Sequence, residues 1–471
     1  MNSSFQEMGF PNRDNKIPIL VVPFPAQGHM NQLLHFSLLL SSHGFPVHFA
    51  SSSIHNHQAR HRLQGWTSAS LHNITFHDIP IPSLPPSTPN PNSIHNFPSH
   101  IIPVLDSVIH HLRSPISSLL HSLSSSSSPL ILIHDPLMSF IGHDASFISF
   151  IHTFKFQCVP AFTQLALIYE LSSKPSPQDN HILFSPLPNS CPEELWTFHR
   201  KHDYESPYEG VLINTSHAIE EPFIDLLAKE DNFVGKKIFT VGPVSPLTVT
   251  DRMSGPRHPC LEWLDRQPPK SVVYVAFGST ITMSDGQLKE IALGLEKSKQ
   301  RFIWVVRDAD RADVSNETEL DVAKSLLLEF EKRVEGMGMV VRGWAPQLEI
   351  LAHGSTAAFM SHCGWNSCME GMSMGLAMLT WPMHTDQPRN ALLITEYLKV
   401  GVMVREWEKR DEVLKWEKVD ETIRKVMVHE EGVEIRRRAK ELGESIRSGT
   451  MEGGSSHEQL SAFIDYISGF K

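Results

Sequence analysis

His29 and Asp135 make the first chemically capable pair. His29 lies in Gln27-Gly28-His29, directly after the apolar run IPILVVPF, and Asp135 closes a second run, PLILIHD. Apolar runs of this length read as buried strands of a parallel sheet. In an open α/β sheet the carboxyl ends of the strands face the ligand crevice. A histidine held by a carboxylate is a competent general base. The carboxylate fixes the tautomer and stabilises the imidazolium, and the ring titrates where a hydroxyl proton must be taken near neutral pH. The chain carries 27 histidines, so a satisfied surface ring is the competing reading on these grounds alone.

The second concentration of capable residues is Trp344 to Gln387, WAPQLEILAHGSTAAFMSHCGWNSCMEGMSMGLAMLTWPMHTDQ. Its pattern is loop, short helix, strand, loop, helix, strand, loop. Trp344, His362, Asn366, Ser367, Asp386 and Gln387 all fall just after strands. The helix beginning near Gly364 offers unpaired N–H groups and partial positive charge, which suits an anion. His362, Asn366 and Ser367 add donors, a set that fits a diphosphate. Ser367-Cys-Met-Glu370 also reads as a capping box, which would explain Ser367 and Glu370 structurally. The two readings coexist, since Glu370 would also accept hydrogen bonds from ribose hydroxyls. An exposed Trp344 is a stacking platform for a nucleobase, and a buried one is ordinary core. Asp386 and Gln387 would bind several sugar hydroxyls, or form a polar turn. Gly278-Ser279-Thr280, after SVVYVAF, is a tight turn whose backbone can approach a phosphate.

Positioning these groups takes two α/β units. The chain has 471 residues, enough for two domains with full cores. A disordered tail is expected over 1–16, a first domain over 17–243, a Pro-rich linker over 244–259, a second domain over 260–454 and a terminal helix over 455–471. A helix is expected over 325–334, and the Pro- and Ser-rich segment 172–191 reads as a loop on the acceptor side. No GxGxxG follows the first strand, so no dinucleotide cofactor is indicated. The net charge of -11 speaks against nucleic acid as a partner. Five cysteines without a CxxC spacing speak against a disulfide framework or a zinc site and for a reducing, cytoplasmic location. The polar N-terminus has no signal-peptide core. No run of about 18 apolar residues occurs, so no membrane span is expected.

Trp344 to Gln387 resembles the signature box of plant UDP-dependent glycosyltransferases, with the HCGWNS core intact. The likeness extends along the chain through PFPAQGH, the His134-Asp135 pair, FGS and WVVR. PFPAQGHMNQLLH, FPSH, FIWVVRDAD and WPMHTDQPRN bring it nearest to the zeatin O-glycosyltransferase group. The resemblance implies a GT-B fold of two Rossmann-like domains facing across a cleft, with the terminal helix packing back on the first. It implies that Trp344 stacks on uracil and the Ala345 backbone binds its edge. Gln347 and Glu370 would hold ribose. Ser279, His362, Asn366 and Ser367 would bind diphosphate, and Trp365, Asp386 and Gln387 the sugar. His29 would be the base and Asp135 its partner. Phe140, Phe162 and Tyr169 are the candidate acceptor walls. No cofactor and no metal are expected. UDP-glucose is the expected donor substrate, with UDP-xylose the other sugar used in this group. The acceptor is a small hydroxylated molecule, a zeatin-type cytokinin by nearest resemblance, with flavonoid or other phenolic hydroxyls as the rival. A sugar-nucleotide binder without activity is the alternative from another class. A monomer is expected. Gln32, Cys368, Met369, Gly371 and Ala377 depart from the commoner family pattern.

Overall fold

The computed structural model describes residues 16–470 except 62–64, 67, 83–101, 125–127, 173–183, 186, 189, 191–192, 203–206, 249–256, 279–282 and 307–327. Most of the expected tail, most of the 172–191 loop and the middle of the expected linker therefore lie outside the described residues, as do 325–327 of the expected helix, whose described part runs over 328–333.

Two parallel sheets organise the chain. The first contains β1 (Ile19–Val22), β2 (Val47–Ser52), β3 (Ile74–Ile79), β4 (Leu130–His134), β5 (Ile151–Gln157), β6 (Gly210–Ile213) and β7 (Lys237–Thr240), in the order β3-β2-β1-β4-β5-β6-β7. The second contains β8 (Val272–Ala276), β9 (Arg301–Val306), β10 (Gly338–Arg342), β11 (Thr356–Ser361), β12 (Ala377–Thr380) and β13 (Gly401–Met403), in the order β10-β9-β8-β11-β12-β13. Among the described residues the strand pairings are parallel. Helices cover the faces of a parallel sheet, so its central strands are apolar throughout. β1, β4, β8 and β11 are each buried along their full length, and they are the continuous apolar runs of the sequence.

β3, β5 and β13 lack such a run. β3 and β13 are edge strands, and β5 mixes buried Phe154 and Phe156 with part-exposed His152, Lys155 and Gln157. One-sided burial removes the apolar signal that marks a central strand.

The C-terminal helix Ser455–Ser468 lies on the first sheet. Phe463 is fully buried and sits among Phe36, Phe154 and Phe239, at centroid distances of 5.9, 5.3 and 5.3 Å. The Tyr466 hydroxyl donates to Glu209 at 3.3 Å, and Phe470 stacks on His152 at 3.5 Å. The chain thus returns from the second sheet to close the core of the first. Phe463→Ala is expected to cost about 3–5 kcal/mol in urea unfolding and to expose the terminal helix to protease. A loss under about 1 kcal/mol would mean that this docking contributes little.

Candidate active site

In each sheet the strand order reverses once, between β1 and β4 and between β8 and β11. Crevices open at such reversals because the flanking connections leave in opposite directions. The candidate residues gather at these two places.

At the first, β1 pairs with β4 from Ile19↔Ile131 to Val22↔His134. The chain leaves β1 into the helix Gln27–Ser42, which puts His29 in its first turn. Asp135 follows β4 and its N–H donates to Val22 O at 3.0 Å. Its Oδ1 accepts from Leu137 N–H at 2.9 Å, and its Oδ2 lies 2.6 Å from His29 Nδ1. Phe24 packs against the His29 ring at 5.2 Å. Asp135 is buried, whereas the His29 side chain keeps 30% exposure, so Nε2 is the ring nitrogen left for a ligand. Burial pulls the imidazole pKa down, but the Asp135 carboxylate, aided by Asp386, outweighs it and the net shift is upward. Among the described residues one trio of metal-capable groups occurs, His29, Asp135 and Cys158, with ligand atoms within 4.8 Å. The Cys158 thiol donates to Asp135 Oδ2 at 3.6 Å, and burial first, then Asp135, raises its pKa well above the ordinary range. A protonated thiol beside a shared His–Asp proton is a proton-handling arrangement rather than a preformed thiolate ligand set.

At the second reversal, Gly278 follows β8 and His362 follows β11. Gly278 has φ +80°, and an added Cβ would lie 2.6 Å from His362 Nε2. A Cβ on Gly364 would lie 2.4 Å from the same atom. The imidazole thus fills a slot that only two glycines leave open. The helix Trp365–Ser373 starts here with Gly364 as its N-cap and no side-chain cap, so its first N–H groups keep no partner of that kind. This start removes the capping-box reading, because Ser367 is inside the helix and not at its cap. Glu370 accepts from Gln347 Nε2 at 2.6 Å and from Asn366 Nδ2 at 2.7 Å, and Gln347 also donates to Ser367 Oγ at 3.1 Å. Burial drives the Glu370 pKa up to about 7 against both of these donors.

Trp344 is 44% exposed beside this network, while Ala345 is buried with its carbonyl accepting Gln347 N–H at 2.9 Å. Asp386 accepts from Thr385 Oγ1 at 2.9 Å and Asn390 Nδ2 at 2.7 Å, and burial raises its pKa. Gln387 turns inward, its side-chain carbonyl accepting Met383 N–H at 2.9 Å and His384 N–H at 3.2 Å. Ser279 lies outside the described residues.

The two reversals are joined. Trp365 Nε1 donates to Asn214 O at 2.7 Å, and Asn214 Nδ2 donates to Gln32 Oε1 at 2.7 Å. Gln32 Nε2 in turn donates to Gly28 O at 3.0 Å and Cys158 O at 3.1 Å, the backbone on either side of the His29–Asp135 pair. Trp365 is therefore a buried link between the halves, where an open sugar contact was expected. Two of the three candidate acceptor walls need the same correction. Phe140 is core, with Arg113 over its ring at 5.6 Å, and Phe162 is fully buried against Phe184 and Phe223. Large apolar rings beside these strands gain more from packing than from exposure. Tyr169 remains partly exposed. Sequence reasoning assigned Asn214 no part in the site and marked Gln32 only as a departure from the commoner family pattern within PFPAQGHMNQLLH.

Residues 15–246 match the family described as glycosyltransferase, N-terminal domain, and residues 249–415 match that described as UDP-glucoronosyl and UDP-glucosyl transferase. The chain is 44% identical to a zeatin O-glucosyltransferase of Phaseolus lunatus, over 97% of this chain and 98% of that one. It is 42% identical to a zeatin O-xylosyltransferase of Phaseolus vulgaris, over 97% and 99% respectively. A Glycyrrhiza uralensis protein solved with glycyrrhetinic acid 3-O-monoglucuronide has a TM-score of 0.78 at 25% identity, covering 97% of this chain and 96% of its own. The two facing Rossmann-like halves are the GT-B arrangement.

A carboxyl poised near neutrality makes ligand binding pH-dependent. Hydroxyls that donate to Glu370 favour its ionised form, so affinity for a nucleotide sugar should rise as pH climbs through about 7. Between pH 8 and pH 6 calorimetry with UDP-glucose is expected to show affinity falling by up to about tenfold, and Glu370→Gln should flatten the profile. An unchanged slope in Glu370→Gln would remove Glu370 from the ligand contact.

Proposed function

This chain belongs to the UDP-glucoronosyl and UDP-glucosyl transferase family, and we propose that within it the protein is an inverting O-glucosyltransferase that glucosylates the side-chain hydroxyl of a zeatin-type cytokinin. The observation that carries the reading is the His29–Asp135 contact of 2.6 Å at one sheet reversal, joined to the donor box at the other. It also weighs against an inactive sugar-nucleotide binder, which has no use for a buried carboxylate on an exposed histidine.

Trp344 stacks on uracil and the Ala345 backbone meets its edge. Gln347 and Glu370 hold the ribose. His362, Asn366, Ser367 and Ser279, with the helix start at Gly364, bind the diphosphate. Asp386 receives the sugar hydroxyls, while Trp365 and Gln387 shape that end from behind. The acceptor O–H proton passes to His29 Nε2 as the oxygen attacks the anomeric carbon. The bond to the diphosphate oxygen breaks and its electron pair leaves with the diphosphate. Asp135 stabilises the imidazolium, and the helix start and His362 stabilise the growing anion. UDP is the leaving group and no metal takes part in this scheme. Glucose is the proposed donor sugar, in line with the name of the 44% identical zeatin O-glucosyltransferase, and xylose, named for the 42% identical O-xylosyltransferase, is the rival. A cytosolic location fits the four described cysteines, all of them buried and none in a disulfide.

Product mass spectrometry with UDP-glucose and UDP-xylose against trans-zeatin and a flavonol panel tests the reading. A hexosyl adduct of zeatin is expected, and transfer to flavonols alone would replace the acceptor assignment. His29→Ala should lower turnover on the order of 100-fold or more with folding intact. Near-full activity in that variant would remove His29 as the base.

A further inference from the structure

Part of the expected acceptor-side loop is fastened from the second half of the chain. Three backbone carbonyls of the first half, those of Ser185, Pro188 and Ser190, are held by groups from the second. Arg389 Nη1 donates to Ser185 O at 2.7 Å, Trp407 Nε1 to Pro188 O at 2.9 Å, and Thr385 N–H to Ser190 O at 2.7 Å. Arg389 is buried to 2% exposure and pairs with Glu170 at 3.3 Å. Phe184, at the start of this strap, packs edge-on against Tyr169 at 5.5 Å and is buried in a core that both halves share. At its other end Thr385, with φ +55°, immediately precedes Asp386. Asn390 holds Asp386 and also accepts from Thr163 Oγ1 at 2.9 Å, a second tie to the helix that carries Tyr169.

The three carbonyls accept from three separate donors of the second half, which ties the segment to that half at three points. Ser190 N–H also donates to Leu187 O at 3.2 Å. We propose that Arg389 and Trp407 are positioning residues for acceptor binding: by holding the Ser185 and Pro188 carbonyls they seat buried Phe184 behind Tyr169, and so set the spacing between the partly exposed Tyr169 and Asp386. Selection among ring-bearing hydroxyl acceptors is then written partly in the half of the chain that binds the nucleotide sugar. The inference rests on the transferase reading above. It adds that two residues of the second half tune the acceptor, and that they do so through the backbone of another segment.

Trp407→Phe keeps an aromatic ring under the Arg410 guanidinium and removes the N–H donor. Arg389→Lys keeps the charge and removes the fork. In both, the acceptor KM for trans-zeatin is expected to rise about fivefold to tenfold, the effect of one lost hydrogen bond. The kcat/KM ratio of trans-zeatin to kaempferol should shift, and the UDP-glucose Kd by calorimetry should stay within about twofold. Hydrogen exchange of the peptide containing Ser185, Pro188 and Ser190 should speed up. Unchanged acceptor KM, or donor Kd and acceptor KM moving together, overturns the proposal. So does unchanged exchange, a readout that needs no turnover. A wild-type protein that glycosylates neither acceptor would refute the transferase reading by itself, before any variant is compared.

Discussion

The Trp365 indole reaching the Asn214 carbonyl is the contact on which the rest of the site depends. It begins a buried chain of hydrogen bonds that continues through the Asn214 amide to Gln32, and from Gln32 to the backbone beside His29 and Asp135. Each bond adds only about 1 kcal/mol net, but a buried partner left unsatisfied costs about 1–3 kcal/mol. The chain therefore holds as a unit or is lost as a unit. It fixes the start of the helix Trp365–Ser373, the proposed diphosphate site, against the turn that carries His29, the proposed base. Two sites that grow from different sheets, each at a reversal of strand order, become one reaction centre.

Burial sets the electrostatics of that centre. Glu370 and Asp386 are carboxyls whose pKa values rise because they are desolvated, and each is held by amide or hydroxyl donors from its own half. His29 moves in the same direction for the opposite reason, since the carboxylates beside it outweigh its own desolvation. Asp386 is felt at His29 although it comes from the other half of the chain. In the proposed reaction, sugar hydroxyls at Asp386 would sit in the field that also tunes His29, which would couple the sugar end to proton removal.

Much of this was legible in the sequence. Central strands of parallel sheets are continuous apolar runs, so β1, β4, β8 and β11 announce themselves, and the capable residues follow them at once. Trp344 is exposed and Glu370 sits one turn inside its helix, as the box pattern implies. What the sequence hid is what tertiary packing decides. Phe140 and Phe162 are apolar residues near the crevice, and nothing local says whether such a ring faces the opening or the core. Trp365 and Gln387 belong to the box, yet their polar atoms are turned to the scaffold. Gln32, Asn214, Arg389 and Trp407 act across more than a hundred residues of chain, and no local period encodes a partner that distant. Edge strands β3 and β13 were faint because their burial is one-sided or brief.

The proposed reaction is a single displacement, with one base on one sheet and one leaving-group site on the other. The anomeric configuration of the product tests it most directly. Proton NMR of the glucoside formed from α-linked UDP-glucose should show the large trans-diaxial coupling of a β-anomer. An α-anomer would require either two successive displacements or a departure of the leaving group on the acceptor's own face, and neither is compatible with His29 as the lone base across the cleft.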